Sequence, residues 1–255
     1  MTVPVSLCAI LLGLPMLAQA QVAWWVPLVF WLFYGMVITG VISHRYFGHN
    51  SFTVPKTMRQ ILGFLVPLGA FGSPLSWSTL HRHHHVYADK PGDPHSPAAG
   101  FWHAFLLWHM LDSHAINNYK STPGLKMLLR DPAIVLPSKY FYHIFYTHLL
   151  LLLWWDYQLF FAGYCVAILL EYLRIGCIDT ICHMPNFPGN YRNFATADHS
   201  QNNLILGVIG CGFGWHNNHH QQSNKMILSR HWWEIDIEGY CCKLLQGLGR
   251  IFTRK

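Results

Sequence analysis

Four apolar runs organise the chain into two pairs. Val3 to Ala20 and Val22 to Ile42 meet at a tight turn around Gln19 to Gln21, and Tyr140 to Trp155 and Tyr157 to Ile178 meet at Trp154-Trp155-Asp156. A bilayer crossing needs about 20 predominantly apolar residues. The pattern therefore predicts an all-α integral membrane protein with four transmembrane helices in two hairpins, spanning approximately 3–20, 22–42, 140–155 and 157–178. Trp24, Trp25, Trp154 and Trp155 fall at the turns, where an interfacial aromatic belt would place them. The stretches 43–139 and 179–255 are more polar, with no internal repeat, low-complexity tract or separate soluble domain, so 1–255 reads as one membrane domain.

Composition agrees with this class. Hydrophobic residues make up 52% and charged residues 11%, against about 25% charged in a soluble domain. Ala18-Gln19-Ala20 imitates a signal-peptide cleavage site, but no Lys or Arg precedes the apolar run and a second span follows at once. The first run is therefore expected to stay as a span. All 17 Lys and Arg residues lie between Arg45 and Lys139 or between Arg174 and Lys255. By the positive-inside rule, both stretches and both termini face the cytoplasm, of a bacterial inner membrane or an endoplasmic-reticulum type membrane. The net charge of +6 suits anionic lipid headgroups or phosphates, while nothing resembles a nucleic-acid reading module. The seven cysteines lack CxxC spacing, which excludes a zinc knuckle.

Eighteen histidines bring in chemistry. His44-Arg45-Tyr46-Phe47-Gly48-His49 follows the second run, His81-Arg82-His83-His84-His85 comes next, and Trp215-His216-Asn217-Asn218-His219-His220 lies near the end. At about 100° per residue, His81, His84 and His85 share one helical face, and His216, His219 and His220 repeat the geometry. His83 points elsewhere. Imidazole suits iron, zinc or copper, and eight imidazoles exceed one coordination sphere, so two metals are implied. Core packing does not explain three such clusters, because buried polar groups without partners are costly. The isolated His95, His103, His109, His114, His143, His148, His199 and His231 are expected to be interfacial or hydrogen-bonded instead.

In this order around two hairpins, HRYFGH, HRHHH and WHNNHH resemble the three histidine boxes of membrane fatty acyl desaturases, particularly the acyl-CoA desaturase type. Asp93-Pro94-His95-Ser96-Pro97 and Asp198-His199-Ser200-Gln201-Asn202-Asn203 are similar to further stretches of that family. The resemblance runs from about Gly35 to His220. It implies a four-helix stalk under a cytosolic helical cap holding two irons, with ligands His44, His49, His81, His84, His85, His183, His216, His219 and His220. Asp179 stands where the family usually has Asn, four residues before His183, and either binds metal, directly or through water, or orients a histidine. Gly212-Phe213-Gly214 replaces a segment in which an acidic residue is common.

The activity implied is O2-dependent insertion of a cis double bond into a saturated acyl chain, with reduction of dioxygen to water. The acyl group would be held on CoA or another carrier, and electrons would come from a separate ferredoxin or small haem cytochrome. A related hydroxylase or acetylenase would use the same boxes. A non-enzymatic metal transporter would instead need ionisable groups lining its spans. The second span ends in His44, and its α-helical neighbours at i−4, i−8 and i−11 are Gly40, Met36 and Phe33. These are the expected wall of an acyl tunnel, with Gly40 leaving room near the metals and Met36 and Phe33 forming a floor.

Overall fold

A computed structural model describes residues 2–109 and 122–251, so His114 lies outside the described residues. The chain is mostly helical. The principal helices are α1 (Thr2–Ala18), α2 (Val26–Gly48), α3 (Lys56–Gly69), α4 (Pro74–Tyr87), α5 (Pro132–Lys139), α6 (Phe141–Trp155), α7 (Leu159–Ile181), α8 (Leu204–Ile209), α9 (His216–Gln221) and α10 (Ile237–Ile251). The paired strands are short: β1 (Asn190–Tyr191) runs antiparallel to β2 (Asn202–Asn203).

Among the described residues, α2 and α7 are long and apolar enough to cross a bilayer, and α3 with α4 forms a further candidate pair bent by 81°. The predicted first and third spans appear as the shorter apolar helices α1 and α6. The bend between α3 and α4 is built at Ala70 and Gly72, both with positive φ. Ser73 then caps α4 by accepting from Ser76 N, with Pro74 in the first turn. Asp156 caps α7 in the same way through Gln158 N and Leu159 N. Trp24, Trp154 and Trp155 are strongly exposed at the two turns.

From Leu32 to Gly48, α2 is wound with i→i+5 hydrogen bonds, a π-helix. Thr39 Oγ1 donates to Tyr34 O and Ser43 Oγ to Ile38 O, five residues back in each case. Wide turns of this kind usually occur singly and often at functional sites. This winding departs from the α-helical spacing on which the expected alignment of Gly40, Met36 and Phe33 with His44 rested. Gly40 is packed against α10, because a Cβ there would fall 2.0 Å from Glu238 Oε1. Met36 is buried and Phe33 is 45% exposed.

The main core joins Ile38, Val41, Ile42 and Phe47 of α2 to Tyr164, Cys165 and Ile168 of α7. A second cluster of Trp77, Trp108, Ile175, Ile178, Cys182, Leu206 and Phe213 lies beneath the histidines. Between the helices runs a buried ion network. Arg45 donates two 2.8 Å hydrogen bonds to Asp236, and Arg174 binds Glu171 and, at 2.7 Å, Glu238. It fastens α10 to both long helices. Burial of charge at this depth requires such pairing.

Candidate metal centre

The three histidine clusters converge. His44, His49, His81 and His219 form one group, and His84, His183, His216 and His220 a second, the ligand atoms of each lying within 4.8 Å of one another. His85 sits between them, its Nε2 3.1 Å from His81 Nε2 and 2.9 Å from His219 Nε2, its ring 4.4 Å from that of His220. All nine histidines implied by the resemblance are thus brought together. His83 is not among them; its ring lies against Tyr87, and its Nε2 is 3.2 Å from Gly92 O.

Each cluster reaches the centre by a different local device. The i→i+5 winding of α2 brings His49 edge-on to His44, with ring centroids 5.2 Å apart. An α-helix would set these two well apart around its axis. In α4 the i, i+3, i+4 spacing suffices for His81, His84 and His85. The short α9 is held from behind by its two asparagines. Asn217 Oδ1 accepts from Asn193 N and Phe194 N, while Asn218 binds Asn202, Leu228 O and Glu234.

The second group is backed by carboxylates. His84 Nδ1 donates to Asp93, His183 Nδ1 to Asp89 and His220 Nδ1 to Asp198, each at 2.9 Å. An ionised carboxylate only accepts, so in each ring Nδ1 carries a proton and Nε2 is the nitrogen turned to the centre. These Nε2 atoms face one another, with His183 Nε2 3.0 Å from His216 Nε2 and His220 Nε2 3.1 Å from it. Burial and the surrounding imidazoles hold His216, His219 and His220 far below the ordinary histidine value. The converging nitrogens of each group could hold a metal cation. Two nitrogens on one ion at about 2.1 Å each stand about 3 Å apart at an octahedral angle and about 3.4 Å apart at a tetrahedral one, and the residues fit such a group.

Asp89 and Asp93 belong to a turn in which Asp89 (φ 60) and Gly92 (φ 102) take left-handed conformations, and Asp89 N donates to Asp93 Oδ2. Sequence reading missed Asp89 as a site residue; the signal available was an acidic pair just past the second histidine cluster. A small cavity of about 20 Å³ opens beside the second group, lined by Trp77, Leu80, Trp108, Ile175 and Phe213 together with His81, His84, His95, Asp179 and His216. Asp179 Oδ1 is 3.7 Å from His95 Nδ1, and the buried Asp179 Oδ2 has no hydrogen-bond partner. The His95 ring lies 4.1 Å from His84. Phe213, in the segment where an acid was expected, packs edge-on against His44 at 4.7 Å.

A larger cavity of about 710 Å³ lies on the other side of α4, lined by Leu75, Leu80, Leu125, Leu129 and Val135 with Ser73, Thr79, His83 and Lys139 at its polar margin. Leu80 lines both spaces. Phe33, Met36 and Gly40 line neither.

Helices long and apolar enough to cross a membrane, together with two histidine groups that could each hold a metal ion, define the class that the fold and site point to. Comparison with known proteins narrows the class: residues 23–237 match the fatty acid desaturase family model, and the chain belongs to that family. It is 32% identical over 250 residues to Delta-9 acyl-lipid desaturase 2 of Arabidopsis thaliana, covering 93% of this chain and 77% of that protein. It is 31% identical over 225 residues to sn-1 stearoyl-lipid 9-desaturase of Anabaena variabilis, covering 87% and 79%. With Acyl-CoA C20 Delta5-desaturase of Anemone leveillei it shares 30% over 229 residues, covering 89% and 72%.

Proposed function

We propose that this fatty acid desaturase is a di-iron, O2-dependent enzyme that inserts a cis double bond into a saturated, carrier-bound acyl chain. The observation that carries the reading is the pair of converging histidine groups. Nine imidazoles with fixed or desolvated nitrogens suit two borderline cations of the first transition row. Iron bound there supplies the dioxygen-derived oxidising power that an unactivated methylene C–H demands.

The chain's own residues bind, orient and exclude water. Asp89, Asp93 and Asp198 hold His183, His84 and His220 in one tautomer and make them stronger donors. Trp77, Leu80, Trp108, Ile175 and Phe213 form a dry wall against which one carbon pair is placed near the centre. The acyl chain enters from the larger cavity past Leu80, which makes α4 the wall of the path. Asp179 offers an unpartnered carboxylate oxygen to the second metal or to a water on it. Electrons arrive from a separate carrier such as a ferredoxin or small haem cytochrome. In this reading the stalk has four spans, α1, α2, α6 and α7, with both termini on the histidine side.

The test is lipid mass spectrometry of cells expressing the chain, together with the iron content of the purified protein. The reading requires a new cis-unsaturated acyl species and about two irons per chain. A hydroxylated or acetylenic product would replace desaturation by a sibling reaction. Wild-type protein without iron would remove the proposal.

A further inference from the structure

The helix α10 is apolar on the wrong side for a water-facing surface. One face, with Glu238, Cys242 and Gly249, is buried against the protein. The opposite face presents Ile237, Tyr240, Leu244, Leu248 and Ile251, all exposed, with Leu244 at 63% and Ile251 at 66%. At about 100° per residue these five fall within one arc of the helix, and Lys243 and Arg250 lie together along one flank. Fifteen residues rise about 22 Å, too short to cross a bilayer.

The exposed stripe continues beyond α10. In α8 the exposed side chains are Leu204, Ile205, Val208 and Ile209, all aliphatic. Trp215 joins the two elements, with its ring against Gly207 of α8 and its Nε1 donating to Ile235 O just before α10. Glu238 N donates to Cys211 O, closing the same junction. Next to it Trp232 is 91% exposed and Trp233 and Ile235 are also exposed. An apolar surface of this extent on a chain rarely faces water.

Position supplies the occupant. Glu238 packs on α2 at Gly40, eight residues before the helix ends at Gly48 and therefore within its apolar length. The loop end of α8 is tied to the other long helix, because Arg174 Nη1 donates to Gly210 O. Both elements are thus fixed to the histidine-side ends of the two long helices. We propose that α8, the Trp232–Ile235 segment and α10 lie in the bilayer interface on the histidine side. Their apolar stripe sits among lipid acyl chains, and Lys243 and Arg250 reach anionic headgroups. The centre is thereby pinned to the membrane surface from which an acyl substrate comes.

The inference depends on the membrane reading and not on the reaction, so its test ignores activity. The unmodified chain, in nanodiscs of phosphatidylcholine and phosphatidylglycerol, is irradiated with a phospholipid carrying a diazirine in its acyl chain, and labelled residues are mapped by mass spectrometry. Mass shifts of one lipid are expected on Tyr240, Leu244 and Leu248 and on Ile205 or Val208, at a level matching Leu28 and Val29 of α2. Labelling of α2 with none on α10 and α8 would overturn the proposal. A second measurement places benzoylphenylalanine at Leu244: a lipid adduct agrees, whereas an adduct to a second copy of the chain would assign the stripe to self-association and sink the membrane role.

Discussion

The two histidine groups differ in what stands behind them. In the second, His84, His183 and His220 each have a carboxylate on Nδ1. In the first, no histidine has a carboxylate within 4.0 Å among the described residues; His44 Nδ1 is buried without a partner, and its ring meets the edge of Phe213. A carboxylate behind imidazole raises its basicity and fixes its orientation. A cation bound by the second group would therefore be held the more tightly. The first relies on packing, and on the winding of α2, to aim its rings. Two sites with the same ligand type are thus set up to differ in affinity.

The most severe way to break the comparison is to remove a ligand outright. His219→Ala and His84→Ala should each abolish activity and lower the iron content to about one per chain or less, while the chain still inserts in membranes; metal analysis and membrane fractionation check both. Next in size is the ion network that seats α2. Arg45→Met leaves Asp236 buried without its partner, and losing one member of such a pair costs about 3–5 kcal/mol, read as a lower midpoint in denaturant. The first group should suffer more than the second, because His44 is the next residue along the same helix.

Asp89→Asn or Asp198→Asn addresses the asymmetry itself. Each should weaken metal binding by about 10–100-fold at the second group while the first stays loaded, as followed by metal titration with a spectroscopic readout. Equal loss at both groups would show that the carboxylates stabilise the fold and not one site. The metal-free protein should also lose stability as pH falls. Burial keeps His216, His219 and His220 neutral when folded, whereas the unfolded chain protonates them below about 6.5, so the unfolded state binds more protons there. A thermal midpoint flat between pH 5 and pH 7, on the order of the range in question, would contradict this. The smallest effect belongs to His83→Ala, which should keep most activity because that ring lies outside both groups.

What could be read from the chain alone was whatever repeats at short range. The i, i+3, i+4 spacing of His81, His84 and His85, and of His216, His219 and His220, sets a helical face without tertiary help, and the apolar runs announced α2 and α7 directly. The HxxxxH spacing of His44 and His49 was harder to interpret, since only the i→i+5 winding of α2 brings them together, and that winding is a property of the packed helix. The tunnel wall expected from Gly40, Met36 and Phe33 rested on α-helical spacing, which the wide turns of α2 do not keep, and these residues line neither of the two cavities described. Asp89 reaches His183 across 94 residues and Asp198 reaches His220 across 22. No local pattern carries such pairings, because they form only when separate loops fold over one centre and a buried imidazole must find an acceptor. Composition and spacing thus determined the class and the histidine faces, while tertiary structure decided which histidines converge and which of them a carboxylate backs.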